Sequence, residues 1–460
     1  MRLISFIAVA LLLFCSGCAS ITGSHPDDPL EPINRKVDAF NQAIDKVALK
    51  PIAQGYKDYT PETIQTGVSN FFGNLKDVGS AINNALQLKP KQTVDSCLRV
   101  LINSTVGVLG LIDIASNIGI QKHSEDFGQT LGYWGLPAGP YVIIPFLGPT
   151  TVRDGVSYFS VDTMADPVHY VDPINARNSV SAMRLLARRA SYLSAEEQMG
   201  EIALDPYSFL RDFYLQKRKN DVWDGNPPDW LIFNRYHLLH MSHYLLIKKL
   251  FFIVCLGFSV LFNFAWCADE TPDGFIRRLS TDLLNSVRAD AALRSGDINK
   301  ISVLVDLRVM PHLNFQRMTA SAVGPAWRQA SPEQQKRLQE EFKLLLIRSY
   351  AGAMAQIKDQ IIQLKPMRMN EQDTEVVVRT EIVGKGEPIQ IDYRLEKTPS
   401  QGAGWKIYNL NILGVWLVET YRGQFTQEIN AKGVDGLINT LTERNKSNAH
   451  KWKRSNYLLN

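Results

Sequence analysis

The chain has 460 residues, 45% of them hydrophobic and 21% charged, with a formal net charge of +4. That length exceeds one ordinary domain, the apolar content allows more than one core, and the charge is too small to point to nucleic acid. Cys15, Cys255 and Cys267 lie in or beside signal-like segments and Cys18 has a context of its own, so Cys97 is left in a domain body and no disulfide framework fits within either half.

Met1-Arg2 and the apolar run Leu3 to Phe14 make a charged start and a core too short for a comfortable membrane span. This is the pattern of an export signal, here over residues 1–17. It ends in Cys15-Ser16-Gly17-Cys18, which resembles the bacterial lipobox. The resemblance implies that Cys18 becomes the mature N-terminus, carrying diacylglyceryl and N-acyl groups as a covalent anchor. Ala19, in place of an aspartate, fits an outer-membrane destination.

The first module is expected over residues 18–230. Asp28-Pro29-Leu30-Glu31-Pro32 sets up a helix, and Ile33, Val37, Phe40, Ile44 and Val47 recur at helical spacing, predicting one inward apolar stripe that ends at Pro51. Thr60-Pro61-Glu62 opens a second helix towards Val68, Phe71 and Phe72. A third, from Val94 through Leu98, Leu101, Val106, Val108, Leu109 and Leu111 to Ile114, is apolar nearly all round. Such a helix is either buried or faces lipid, and on its own pattern a buried core helix is expected.

The Gly- and Pro-rich stretch Glu125-Asp126-Phe127-Gly128-Gln129-Thr130-Leu131-Gly132-Tyr133-Trp134-Gly135, continuing through Gly139-Pro140-Tyr141-Val142-Ile143-Ile144-Pro145-Phe146 to Arg153-Asp154, dictates a shaped loop with apolar walls. Together with Asp28-Pro29-Leu30-Glu31-Pro32-Ile33-Asn34-Arg35 and Phe40-Asn41, these words resemble the MlaA family, also called VacJ lipoproteins, from about Cys18 to Tyr214. The resemblance implies an all-α, membrane-associated helical ring in the inner leaflet of the outer membrane, with a channel that removes misplaced phospholipid. It also implies porin trimers as partners. In that frame Phe40 and Asn41 are expected near the channel mouth and Gly139, Pro140 and Tyr141 in its wall. His123 beside Glu125 and Asp126 does not make an acid-base pair, because neighbouring residues point apart and no activated nucleophile accompanies them.

Residues 231–268 read as a linker. His237, His240 and His243 are three apart but lack carboxylate or cysteine support, so no metal site is expected there. Lys248-Lys249, the apolar run Leu250 to Trp266, and small residues at Ala265, Cys267 and Ala268 form a second export signal. As a retained span it would leave the lysines outside, against the usual placement of positive charge. Cleavage, or separate translation from Met241, is the expectation.

The second module is expected over residues 269–445, followed by a basic tail, 446–460, read as a disordered end. Phe275, Leu279, Leu283 and Val287 form a helical stripe, and Ser331-Pro332-Glu333-Gln334 is a capping box opening a helix with Leu338, Phe342, Leu345, Tyr350 and Met354 inward. After Pro366 the period changes to two, predicting strands over 374–383, 388–397 and 404–413, hence an α+β unit. Gly324-Pro325-Ala326-Trp327, Gly404-Trp405-Lys406-Ile407-Tyr408 and Gly414-Val415-Trp416-Leu417-Val418 resemble the MlaC family of periplasmic carriers, the toluene-tolerance proteins of the Ttg2 type. Trp416 departs from the small residue usual there. The resemblance implies an NTF2-like domain with an apolar lipid cavity, for whose wall Trp327, Phe342, Tyr350, Tyr393, Trp405 and Leu417 are candidates. It also implies delivery to an inner-membrane MCE/ABC lipid transporter.

Together these readings describe a multi-domain fusion for intermembrane phospholipid transport, not an enzyme, with no cofactor beyond lipid cargo. The first half is expected at the outer membrane and the second in the periplasm. The alternative is a structural, porin-associated envelope lipoprotein fused to a binding domain for another apolar ligand.

Overall fold

The computed structural model describes residues 25–227, 270–294, 297–354, 361–367, 369, 373–383, 389–399 and 402–458. Cys18, the histidines of the linker and the signal-like segment 248–268 lie outside the described residues. The chain divides into two compact units, residues 1–215 and 216–460.

In the first unit, α1 (Glu31–Ile44) buries Asn34 and Asp38. The apolar stripe does not mark its inner face, since Phe40 and Val47 are exposed. Nor does Pro51 end the helical path. The chain passes through one wide turn (Asp45–Leu49) directly into α2 (Lys50–Tyr59), with Pro51 in its first turn. Ala53 packs with Ala190 and Leu193 of α7 (Ile174–Ile202), and Arg189 closes the contact with paired bonds of 2.6 and 2.7 Å to Asp45.

α3 (Glu62–Leu86) and α4 (Pro90–Thr105) form a helical hairpin, and its interior is polar: Asn74, Asp77, Ser80, Asn83 and Asn84 from one helix, Ser96, Arg99 and Asn103 from the other. The expectation of a buried apolar helix from Val94 to Ile114 is therefore overturned. Val94, Leu98, Leu101, Val106, Val108, Leu109 and Leu111 are exposed, Leu109 at 71%. The helix also stops at Thr105, and Val108 and Leu109 adopt positive φ in the turns that follow. Gly110 is required there, because a Cβ would come within 2.8 Å of Asn74.

α5 (Phe127–Tyr133) is capped by Asp126, which accepts from the Gln129 N–H at 2.8 Å. The unit is not purely helical. β1 (Tyr141–Ile144) and β2 (Gly148–Thr151) pair antiparallel, Tyr141 opposite Thr151 and Ile144 opposite Gly148. The β-branched run Val142-Ile143-Ile144, bounded by prolines, favours this hairpin over an irregular loop. α6 (Val152–Ser157) follows, and α8 (Pro206–Val222) contains the boundary between units.

The second unit starts its described core with α9 (Pro272–Ala289), capped by Thr271 and burying Phe275, Ile276, Leu279 and Val287 as the stripe predicts. α10 (Ile298–Leu304) and α11 (Phe315–Val323) lead to α12 (Pro332–Met354). The capping box is formed: the Gln334 N–H donates to Ser331 Oγ at 3.2 Å, and the Ser331 N–H donates to Gln334 Oε1 at 2.9 Å. Five antiparallel strands follow in sequence order, β3 (Ile361–Leu364), β4 (Glu375–Val383), β5 (Ile389–Lys397), β6 (Trp405–Ile412) and β7 (Val415–Trp416). The three predicted strands are present to within a residue at each end; β3 and β7 are additional. α13 (Leu417–Leu458) breaks at Gly433, where φ is 71° and ψ −176°.

One sheet face carries Val376, Val378, Leu395, Trp405 and Ile407 against Phe275, Ile276 and Leu279. A bulge between Arg394 and Leu395 in the pairing with β6 shifts the alternation, so that Asn409 and Asn411 are buried on the opposite face beside Asp392. Burial pushes the Asp392 carboxyl up to about 6, against the lowering influence of Gln390 and Arg379. A carboxyl with a raised folded-state pKa binds more protons folded than unfolded across this window, so its contribution to stability falls as pH rises from about 4 to about 6 and stays low above that. Asp392→Asn should therefore stabilise the second unit at neutral pH, by on the order of 2 kcal/mol. Its advantage over the native chain in urea midpoint should grow between those two pH values and level off above them.

Candidate functional site

The β1–β2 hairpin is held by two asparagines seven residues apart, and therefore on one face of α1. Asn34 donates to the Tyr141 carbonyl (3.0 Å) and accepts from the Ile143 N–H (2.9 Å). Asn41 repeats the arrangement at the turn, donating to the Ile144 carbonyl (3.1 Å) and accepting from the Phe146 N–H (2.8 Å). A side-chain amide matches a peptide group in having one donor edge and one acceptor edge, so each asparagine acts as a short piece of extra strand. Asn34 is further anchored by Asp28 at 2.8 Å, and Asp28 accepts from the Tyr207 hydroxyl at 2.6 Å. Phe40 meets Phe146 edge to face at 5.5 Å, and both rings are exposed at the hairpin tip.

Of the five candidates in this unit, Phe40 and Asn41 come together at the hairpin turn. Gly139 (φ 71°) and Pro140 are exposed at the hairpin entry, where a Cβ on Gly139 would approach Val152 at 3.3 Å. Tyr141 is fully buried and packs against Tyr207 and Tyr214 beneath the hairpin. Burial and the nearby Asp38 and Asp28 push its hydroxyl well above the ordinary tyrosine range. Asp38 is also raised by burial, despite its bond to Gln42.

The second feature is the polar interior of the α3–α4 hairpin. Arg99 donates to Asp77 (3.2 Å), Asp113 (2.8 Å), the Ser116 hydroxyl (2.9 Å) and the Ile120 carbonyl (2.8 Å). Burial raises the Asp113 carboxyl, but bonds from Ser116 and Arg99 outweigh it and hold the group at about 2. Lys89 and Glu125 form a buried ion pair at 3.0 Å. His123 meets Asp95 at 3.1 Å and Asp126 caps α5, so the three neighbouring titratable residues serve three separate partners. Arg99, Asn84 and Gln87 do not stand out in the sequence, and Asn34 and Gln129 enter it only as letters of longer family-like words. The readable signal was the polar series Asn70, Asn74, Asp77, Ser80, Asn84 and Gln87 at helical spacing within an otherwise apolar region.

In the second unit the six candidates divide between clusters. Phe342 stands within 5.0 Å of Tyr421, 5.2 Å of Phe425 and 5.7 Å of Phe315. Trp405 and Tyr393 belong to the sheet core over α9. Leu417 is buried at the start of α13, whereas Trp327 and Tyr350 are half-buried. Burial raises the Tyr350 hydroxyl. Trp416 points away from its buried neighbours Val415 and Leu417 and receives the Arg394 guanidinium on its ring face at 3.9 Å. The larger side chain is thus half-buried under a cation.

Removing either asparagine should loosen the hairpin by different amounts. Asn34→Ala leaves buried backbone groups unpaired and should cost about 2–3 kcal/mol. Asn41→Ala, at the exposed turn, should mainly speed hydrogen exchange at the Phe146 amide while leaving the Ile143 amide protected; equal exchange at both sites would contradict independent clamps.

Residues 26–221, nearly all of them in the first unit, match the model of the MlaA lipoprotein family, and residues 277–443 of the second unit match that of the MlaC protein family. The intermembrane phospholipid transport system lipoprotein MlaA of Escherichia coli K12 is 34% identical over 211 residues, covering 44% of this chain and 81% of that protein. The lipoprotein of the same name from Haemophilus influenzae is 31% identical, covering 48% of this chain and 91% of that protein. Among solved structures, a phospholipid-binding protein of Ralstonia solanacearum in complex with a phospholipid is 44% identical, covering 40% of this chain and 99% of that one, with a TM-score of 0.38. The chain belongs to the MlaA lipoprotein family through its first unit and to the MlaC family through its second, joined in that order in one polypeptide.

Proposed function

We propose that this chain carries phospholipid between membranes, the first unit taking misplaced phospholipid from the outer membrane and the second sheltering its acyl chains across the periplasm. The observation that carries the reading is the reversed polarity of the first unit. Its interior holds Asp77, Arg99, Asn83, Asn84, Gln87 and Glu125, while Val47, Leu101, Val106, Leu109, Ile118 and Phe146 stand outside. So many large apolar side chains left in the open belong against lipid or a partner. Among the described residues no helix is long and apolar enough to cross a membrane. Immersion in one leaflet, with Cys18 as the lipid anchor, accommodates both facts.

For the second unit the proposal is an NTF2-like carrier whose aromatic clusters around Phe342 and Trp405 part to admit acyl chains. Each methylene kept from water is worth about 0.8 kcal/mol, so an unsheltered lipid crosses an aqueous space slowly. Porin trimers around the first unit and an inner-membrane MCE/ABC transporter beyond the second complete the proposed route. Full chain isolated in a mild non-lipid detergent should retain stoichiometric phospholipid on organic extraction, with no lysophospholipid accumulating on incubation. Extracts free of phospholipid would refute transport, and lysophospholipid would indicate hydrolysis.

A further inference from the structure

Gly433 divides α13 into two halves that are fastened to different neighbours. The first half, residues 417–432, is tied to the sheet. The Val418 N–H donates to Asn409 Oδ1 (3.2 Å), Asn409 Nδ2 donates to the Glu419 carboxylate (2.7 Å), and Arg394 donates to the same carboxylate (2.5 Å). The second half is tied to α12. Thr442 and Asn445 both donate to the Glu341 carboxylate (2.9 and 2.6 Å), Gln334 donates to Asp435 (2.8 Å), and Arg348 donates to the Asn445 carbonyl. Between these two bodies the contact is aromatic. Phe342 of α12 meets Tyr421 and Phe425 of the first half edge to face at 5.0 and 5.2 Å, with the Tyr421 hydroxyl beside Ser349.

The two kinds of joint differ in what it costs to part them. Separating hydrogen-bonded helices strands donors and acceptors, at about 1–3 kcal/mol for each buried one. Separating packed rings exposes apolar surface, and a hydrocarbon chain lying between them covers that surface again. The corner itself is suited to bending. Gly433 holds a φ and ψ (71°, −176°) open in practice to glycine alone, and a Cβ placed there would touch nothing within 4 Å, so its surroundings do not hem it in. At Gly436 a Cβ would come within 2.2 Å of the Lys432 side chain, so the halves meet closely just past the bend. Farther out a bond spans the corner: the Thr440 hydroxyl donates to Glu428, which Lys432 also holds at 2.7 Å. Thr440 and Glu428 are half-buried, within reach of water, and Glu428 keeps Lys432 when Thr440 leaves. That bond is therefore cheaper to break than those that join the second half to α12.

We propose that the second unit bends at Gly433 to load and release acyl chains. In this motion α12 and the second half of α13 swing as one body away from the first half and the sheet, the seam at Phe342, Tyr421 and Phe425 opens, and the Thr440–Glu428 bond is the latch that holds it shut. This rests on the reading that the second unit shelters acyl chains, and adds which of its joints yields.

The test follows release from the full chain. The protein is loaded with phosphatidylethanolamine carrying a photo-activatable acyl chain, mixed with excess unlabelled vesicles of phosphatidylethanolamine and phosphatidylglycerol, and irradiated after increasing delays. Adducts are measured on peptides spanning residues 332–348 and 417–432. Thr440→Val keeps the shape of the side chain and removes its donor, and should hasten their loss by roughly fivefold, the worth of one surface hydrogen bond. Thr440→Ser should track the native chain. Thr442→Val removes a bond of the same kind inside the α12 body and should leave the rate unchanged, which separates a latch from a general loss of stability. Equal rates in Thr440→Val and the native chain, or a Thr442→Val chain as fast as Thr440→Val, would overturn the inference while leaving the sheltering of acyl chains standing. Absence of adducts on these peptides at every delay would overturn both.

Discussion

The first unit depends on how a guanidinium is accommodated almost wholly out of water. Arg99 is 1% exposed, and its fork reaches two carboxylates, a hydroxyl and a backbone carbonyl contributed by α3 and by residues 113–120. Leaving such a cation unpaired in a low-dielectric interior costs several kcal/mol, so its surroundings must be assembled together or not at all. The consequence runs along α3. Its inward positions are asparagine, aspartate and serine because they face this charge and the Lys89–Glu125 pair, not a hydrocarbon core.

That requirement reverses the usual division of labour in folding. Within the α3–α4 hairpin, side-chain hydrogen bonds and ion pairs hold the inside together and the large apolar residues lie on the outside, while small apolar clusters around Ala53 and Tyr141 pack elsewhere in the unit. The second unit is conventional by comparison, with apolar clusters between its sheet and helices and around Phe342. Two halves of one chain therefore follow opposite solvent logic. A hydrophobic environment stabilises the surface of the first by the same burial that stabilises the core of the second.

This reversal also explains what was legible in the sequence. Periodicity marks which residues share a face but not which face is inside. In the second unit the apolar face is the inner one, so the Phe275–Val287 stripe, the Ser331 capping box and three strands were read directly. In the first unit the same rule assigned Val94 to Ile114 to a core and Phe40 and Val47 to an inner stripe, and both were inverted. Asn41 and Phe40 were flagged through family resemblance, but their task is set by contacts more than a hundred residues away in sequence, to Ile144 and Phe146. No local pattern reveals such a pairing. The phase shift at Arg394–Leu395, which sets Asn409 and Asn411 on the same face as Asp392, is likewise a property of two strands in register and not of either alone.

The break at Gly433 gives the second unit a particular order of completion. Before it, Tyr421 and Phe425 pack on Phe342; after it, Leu437, Ile438 and Leu441 are fully buried, and Thr442 and Asn445 bond Glu341 on α12 at 2.9 and 2.6 Å. The helix at the heart of the unit is thus engaged from two directions by the final forty residues or so. When the chain is delivered N-terminus first, as in synthesis, α12 is presented long before its last partners. The unit's core can close only after nearly all of the unit has been delivered, so its folding is a late event and not a progressive one.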